Sequence, residues 1–134
     1  MALGRTLRLL IALLGLLLLS GCASSNLIGD VSVRPQVISP NADGDTDVAE
    51  IHYAVTRQAN VTIYLVDSDG GRHDLRVNER RSKGERTIYF GGVINGTLLP
   101  DGDYRMIFEA IDTRGKTGSA EASITLQGGD TTPL

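Results

Sequence analysis

Four side chains between positions 41 and 47 carry oxygen atoms that could hold a metal ion. They are Asn41, Asp43, Asp45 and Asp47. Their two-residue spacing could direct oxygens from one loop towards a common point, and calcium takes about six to eight such ligands in a flexible cage. The spacing is not that of an EF-hand loop, since Gly44 comes too early. Two interpretations stay open: a calcium site, or an Asx turn with solvated charges.

Residues that usually carry catalysis are sparse in this sequence. His52 falls on the outward phase of a predicted strand, and His73 lies in a polar hairpin. Neither stands beside a Ser, a Cys or a pair of acids in a pattern that activates a nucleophile. The sequence contains no phosphate-binding loop or zinc motif. We therefore predict a protein that is not an enzyme and requires no cofactor.

The single cysteine, Cys22, follows a segment with the features of an export signal. Arg5 and Arg8 form a basic start, and residues 9–19 are almost continuously apolar. This run has the length of a signal-peptide core and falls short of the roughly 20 apolar residues of a spanning helix. Two small residues then precede the thiol, in the order Leu19-Ser20-Gly21-Cys22.

This tetrapeptide resembles the bacterial lipobox. The resemblance implies that residues 1–21 are removed and that the Cys22 thiol receives diacylglycerol, so that acyl chains anchor the protein to a membrane. Residues 22–30 would form the lipidated tether. The residue after the cysteine is Ala23, whereas an Asp there would favour inner-membrane retention. We therefore predict anchoring to the periplasmic face of the outer membrane in a Gram-negative cell, and otherwise to the outer face of the cytoplasmic membrane. The alternative is an ordinary secretory signal with a free cysteine.

Length and charge limit what the rest of the chain can be. The sequence has 134 residues, which is enough for one domain. Its 13 Lys and Arg against 16 Asp and Glu give a net charge of −3, so nucleic acid is an unfavourable partner. One cysteine excludes internal disulfides. Aromatic residues make up 4% and Trp is absent, so Val, Ile and Leu must build most of the core.

Alternation of apolar and polar residues with a period of two predicts strands between positions 31 and 127. The apolar positions of the clearest segments are Ile51, Tyr53, Val55, Val61, Ile63, Leu65, Tyr104, Met106, Phe108 and Ala110. Pro35 divides the first strand, and the polar residues 72–77 suit an edge. About seven such strands separated by Gly-containing turns predict an all-β fold, a single immunoglobulin-like antiparallel sandwich. Residues 128–134 are predicted to be a flexible tail.

Motifs in chain order resemble the FlgD/Vpr-type immunoglobulin-like domain. Residues 39–44 read Ser-Pro-Asn-Ala-Asp-Gly, residues 59–67 read Ala-Asn-Val-Thr-Ile-Tyr-Leu-Val-Asp, and residues 99–104 read Leu-Pro-Asp-Gly-Asp-Tyr. Ala110-Ile111-Asp112 with Gly115 matches the family's ending. The family's Trp-Asp-Gly element stands here as Phe90-Gly91-Gly92, in which Phe can fill the core. The resemblance implies an accessory domain found in many exported bacterial proteins, and it assigns no specific activity.

Strand order in such a sandwich places residues 61–67 beside residues 104–112. Four apolar side chains would then face outwards, namely Tyr64, Val66, Ile107 and Ile111, and a contiguous exposed apolar patch often marks an interaction site. They could equally be scattered surface residues, or be covered by the tether. Tyr104, at the start of the sixth strand, is predicted to form a structural tyrosine corner.

A second surface feature is a cluster of basic residues in one hairpin, interrupted by Glu79 and Glu85. Its members are Arg76, Arg80, Arg81, Lys83 and Arg86. It could touch anionic headgroups or acidic glycans, or serve as a solvated edge that prevents sheet-to-sheet pairing.

Together these features predict a membrane-anchored envelope lipoprotein whose domain contacts an envelope protein partner. The alternative is a domain that binds an envelope glycan or another ligand, with calcium as a possible requirement.

Overall fold

The computed structural model describes residues 26–42, 44 and 46–129. The predicted signal peptide at 1–21, the lipidation site Cys22, Asp43, Asp45 and residues 130–134 lie outside the described residues. The described chain forms ten strands: β1 Ile28–Arg34, β2 Val37–Ile38, β3 Ala49–Val55, β4 Ala59–Val66, β5 Arg72–Arg81, β6 Gly84–Phe90, β7 Val93–Ile94, β8 Thr97–Leu98, β9 Gly102–Asp112 and β10 Thr117–Leu126.

Two sheets pack face to face. The first has the order β1-β3-β6, the second has the order β2-β10-β9-β4-β5, and β7 pairs with β8 in a separate small hairpin. All pairs are antiparallel except β2 with β10. The fold is therefore an all-β, immunoglobulin-like sandwich, as predicted. Its seven long strands match the seven predicted segments, and the other three strands have two residues each.

The apolar phase of each strand fills the space between the sheets. Along β4, Ala59, Val61, Ile63 and Leu65 are all buried, while the residues between them are half-buried. The Tyr53 ring of one sheet meets the Phe108 ring of the other with centroids 5.6 Å apart. Burying a side chain of this class stabilises the fold by roughly 1.5–3 kcal/mol. The alternation predicted from the sequence is thus the alternation of core and surface.

Pro35 lies where the chain passes from one sheet to the other. β1 before it pairs with β3, and β2 after it pairs with β10. Proline has no N–H to donate to a ladder, so it suits a point where one strand's pairing stops. The predicted division of the first strand is found at this position.

The folded region is longer at both ends than the predicted domain of residues 31–127. Leu27 and Ile28 are each 1% exposed, and β1 already begins at Ile28, so the end of the predicted tether belongs to the core. At the other end, the backbone N–H groups of Gly128 and Gly129 donate to the Asp101 carboxylate. The first two residues of the predicted tail are therefore held by the sandwich.

Candidate interaction surfaces

The outer face of the five-stranded sheet brings together three of the four predicted interface residues. Tyr64 on β4 is paired directly with Ile107 on β9, and Val66 follows on the same face of β4. All three side chains are half-buried. Ile111 lies farther along β9, opposite Asn60, and is 44% exposed. The Thr62–Glu109 pair separates it from the others, so the predicted patch is not continuous.

Polar contacts cover the central residue of this face. The Tyr64 hydroxyl donates to Glu109 Oε1 at 2.7 Å, and the Arg72 guanidinium lies 3.7 Å from the centre of the Tyr64 ring. The hydrogen bond to Glu109 is the main cause that raises the pKa of Tyr64. Arg72 is itself held by Asp74 through a 2.7 Å bond. Tyr64 is therefore less apolar as a surface than its residue type suggested.

An open depression of about 570 Å³ lies on the same face, beside Ile111. Its walls carry hydroxyl, amide and carboxylate groups around an aliphatic side chain. The residues that line it include Asn60, Thr62, Glu109, Ile111, Thr117 and Ser119. Convergent polar groups around apolar surface are the usual composition of a ligand site.

In the acidic loop at 41–47, the structure places both Asp47 oxygens against backbone N–H groups. Oδ1 accepts from Asn41 at 3.2 Å and from Ala42 at 3.0 Å, while Oδ2 accepts from Gly44 at 2.6 Å. This is the side-chain capping of a turn. Among the described residues no group of three acidic, His or Cys side chains could hold a metal ion. Because Asp43 and Asp45 are outside them, calcium in this loop stays a prediction.

Tyr104 is buried, and its hydroxyl donates to the carbonyl oxygen of Pro100 at 2.5 Å. A bond from the start of this strand back to the preceding connection is the geometry of a tyrosine corner. Burial is the main cause that raises the pKa of Tyr104, and the nearby Asp67 carboxylate adds to it.

Two turns of the same construction close β4 and β9. In the first, Asp67 Oδ1 accepts from the N–H groups of Asp69 and Gly71 at 2.9 and 2.7 Å. In the second, Asp112 Oδ1 accepts from Arg114 and Lys116, both at 2.9 Å. Gly70 and Gly115 occupy the same position with φ of 84° and 81°. Because β4 and β9 are antiparallel, these turns lie at opposite ends of the sandwich.

The two histidines take part in local contacts. His73 Nε2 lies 2.9 Å from Asp67 Oδ2, and His52 Nδ1 lies 3.2 Å from the Thr87 hydroxyl. The bond to His73 is the main cause that lowers the pKa of Asp67.

Opposite charges collect at the two ends of the sandwich, a feature that the sequence pattern alone does not predict. We call residues 56–58, 80–83 and 112–116 the basic end; they contain six Lys and Arg residues and one Asp. We call residues 39–42, 44, 46–48, 67–71 and 99–101 the acidic end; these described residues contain four Asp residues and no Lys or Arg. The antiparallel order of the strands could have predicted this separation of charge, because that order places alternate connections at opposite ends of the sandwich.

The chain enters the sandwich at the basic end. The Thr56 hydroxyl donates to the Asn26 carbonyl oxygen at 2.9 Å, and Asn26 Nδ2 donates to the Ser119 carbonyl oxygen at 2.8 Å. A Cβ on Gly118 would lie 2.4 Å from Asn26 Oδ1 and 2.8 Å from the Leu27 nitrogen. Asn26 is thus held closely against β10, at a fixed place.

The sequence matches no protein-family model and no curated protein. Among solved structures, it is similar to a Niemann-Pick type C2 protein from the Japanese carpenter ant. The likeness has a TM-score of 0.45 and 8% sequence identity, and it covers 79% of this chain and 96% of the other. At that identity and score it carries no argument about function. No helix long and apolar enough to cross a membrane occurs among the described residues.

Proposed function

We propose that this chain is a non-enzymatic, lipid-anchored envelope protein whose immunoglobulin-like domain presents a binding face to a protein partner. The observation that carries the proposal is the outer face of β4 and β9, where Tyr64, Val66 and Ile107 lie side by side. The anchor is supported by the lipobox resemblance at Cys22, and membership of the FlgD/Vpr-type domains by the motifs at 39–44, 59–67 and 99–104.

The composition of this face suits a protein–protein contact. Tyr and Arg are the residue types that most often dominate binding energy in interfaces, and Tyr64 with Arg72 already forms a stacked pair. Arg105 and Glu121 add an ion pair at 3.4 Å on exposed side chains of the neighbouring strands. Tyr64, Val66 and Ile107 with charged groups around them follow the usual anatomy of such an interface, in which a less polar centre is surrounded by a polar rim.

The experiment is capture of the native lipoprotein from its own membranes after cross-linking, with the double variant Tyr64→Ser and Ile107→Ser. A matched control carries Tyr89→Ser and Val93→Ser, two side chains that are 68% and 48% exposed elsewhere on the domain. We expect one specific protein to be lost from the first variant and retained by the control. Unchanged capture by a folded Tyr64 and Ile107 variant would overturn the proposal.

A second candidate function is favoured by the depression beside Ile111. Its polar lining could bind an envelope glycan or another small ligand. We expect the double variant Asn60→Ala and Thr62→Ala to lose binding to envelope glycan fragments if this function is correct. Adding calcium or a chelator to the same assay tests whether the loop of Asn41, Asp43, Asp45 and Asp47 holds an ion that binding requires.

A further inference from the structure

The basic end of the sandwich is a cationic surface built from three separate connections. Ser82 and Lys83 join β5 to β6, residues 56–58 join β3 to β4, and residues 113–116 join β9 to β10. The strand registers bring these connections together, since Val55 pairs with Gly84, and Ala59 pairs with both Arg81 and Asp112.

Local acids neutralise only part of this charge. Arg57 Nε donates to Asp112 Oδ2 at 2.9 Å, and Arg81 pairs with Glu79, which also lies 4.0 Å from Arg76. Glu85 lies 3.9 Å from His52. Within the part of the chain that the structure describes, no ion pair engages the side chains of three exposed residues: Lys83, Arg114 and Lys116.

A shallow depression lies among these connections at the basic end. It has a volume of about 320 Å³ and is lined by Arg57, Gln58, Asp112, Thr113, Arg114 and Lys116. The Asp112 carboxylate at its edge is already occupied by Arg57 and by two backbone N–H groups. Arg114 and Lys116 therefore remain to attract an anion.

The entry point of the chain places this surface close to the proposed anchor. Asn26 is bound at the basic end, and four Cα–Cα steps separate it from Cys22. Even when fully extended, these four steps span at most about 14 Å. The opposite, acidic end lies a whole strand length farther from the lipid and would be repelled by anionic headgroups.

We infer that the basic end rests on the membrane surface and binds the headgroups of anionic phospholipids, through Lys83, Arg114 and Lys116. The inference rests on the proposed lipid anchor at Cys22. In this orientation the outer face of β4 and β9 stands roughly along the membrane normal, and the acidic end points away from the lipid. Each cation near an anionic surface strengthens the attraction about fivefold. Salt shortens the Debye length, beyond which this attraction is screened.

The test uses the full lipidated protein in phosphatidylcholine vesicles, with or without phosphatidylglycerol. A spin label is attached either at Ser82→Cys in the basic end or at Ser68→Cys in the acidic end, both exposed serines. A nickel-chelating lipid reports headgroup contact by relaxing the nearby label. We expect strong relaxation at position 82 only with phosphatidylglycerol, little at position 68, and loss of the effect in high salt.

Charge variants provide the matched comparison. Reversal of three cations, Lys83→Glu with Arg114→Glu and Lys116→Glu, should lower headgroup contact by well over a hundredfold, since it removes three attractive charges and adds three repulsive ones. The charge-keeping set Lys83→Arg, Arg114→Lys and Lys116→Arg should retain it. The salt and lipid dependence of the unmodified surface tests the inference even if the reversed variant does not fold.

Two failures can be told apart in the same sample. Equal relaxation at positions 82 and 68 would overturn the inference, and so would relaxation at position 82 that does not depend on phosphatidylglycerol. In either case, mass spectrometry that finds Cys22 acylated would show that the anchor itself is present. Absence of acyl mass on Cys22 would remove the proposed anchor, and this inference with it.

Discussion

Asp67 and Asp112 build the same turn at opposite ends of the molecule, but their second carboxylate oxygens have different partners. Asp67 Oδ2 faces His73, which is charged only when protonated, whereas Asp112 Oδ2 faces Arg57, which is always charged. The Asp67 side chain is 27% exposed and that of Asp112 only 4%. The local sequence with Asp first and Gly fourth therefore determines the backbone of each turn. Residues outside the turn, near in sequence for His73 and distant for Arg57, determine how deeply each turn is embedded and which charge faces it.

The largest expected effect separates the two turns by burial. Asp112→Ala removes a nearly inaccessible carboxylate, so the N–H groups of Arg114 and Lys116 lose their acceptor where lost hydrogen bonds are most costly. The Arg57 guanidinium loses its ion-pair partner as well. Asp67→Ala does the same where water can replace the carboxylate. We expect the larger fall in thermal midpoint for Asp112→Ala, measured by circular dichroism. Asp112→Asn, which keeps an acceptor oxygen, should lose less; equal loss for the two alanine variants would show that burial does not distinguish the turns.

The attachment of the chain to the basic end can be broken at Gly118. An added Cβ would lie 2.8 Å from the Leu27 nitrogen, so β10 or the entering segment must move, which typically costs about 1–3 kcal/mol. The matched control is Gly29→Ala in β1, whose Cβ would meet nothing within 4 Å. Chemical denaturation should show the loss for Gly118→Ala alone. Equal stability of the two variants would contradict the tight placement of Asn26 and Leu27.

A smaller effect is expected at the acidic end from Tyr104→Phe. This change removes the hydroxyl that donates to the Pro100 carbonyl oxygen and keeps the buried ring. The loss of one such hydrogen bond lowers the free energy of unfolding by about 0.5–1.5 kcal/mol. Denaturant titration measures it, and Tyr89→Phe on an exposed ring provides the control. If Tyr104→Phe were neutral, the corner would not stabilise this end.

The sequence predicted the core well because burial imposes a period of two on the strands. It predicted the bounds of the strands less well in segments where apolar and polar residues do not alternate. β5 extends to Arg81, beyond the predicted 72–77, because a charged edge strand lacks an apolar phase. Leu27 and Ile28 are only two apolar residues after a polar stretch, too few to indicate a strand before the pairing with β3 is known.

The candidate surfaces depended even more on pairing. The sequence predicted that Tyr64 and Ile107 would lie on the same face of adjacent strands, because the antiparallel strand order alone determines this. It did not predict that Arg72 and Glu109 would cover the Tyr64 ring and hydroxyl, since those contacts come from two different neighbouring strands. Likewise, Arg57 and Arg114 join the predicted basic hairpin only once three connections are known to share an end.

Acid should weaken both turns. This loss of stability is the smallest of the expected effects, because it is absent near neutral pH, where both carboxylates are charged. The pKa of Asp67 is lowered from 3.8, chiefly by the bond to His73 and then by the Gly71 N–H. The pKa of Asp112 is also lowered: burial raises it, but the N–H groups of Lys116 and Arg114 and the Arg57 guanidinium together outweigh that cause. A lowered folded-state pKa contributes stability that is complete above the unfolded value and is lost as pH falls through the folded value.

The thermal midpoints of the wild-type protein and of Asp67→Asn should therefore differ by a constant amount above about pH 5 and converge below about pH 4. The same convergence is expected for Asp112→Asn. Replacing His73 with Gln sharpens the comparison: it removes the main cause of the Asp67 shift, so only the Asp67 turn should lose part of its acid dependence, while that of Asp112 stays. Convergence as the pH rises instead would mean that these carboxylates do not stabilise the fold in their charged form.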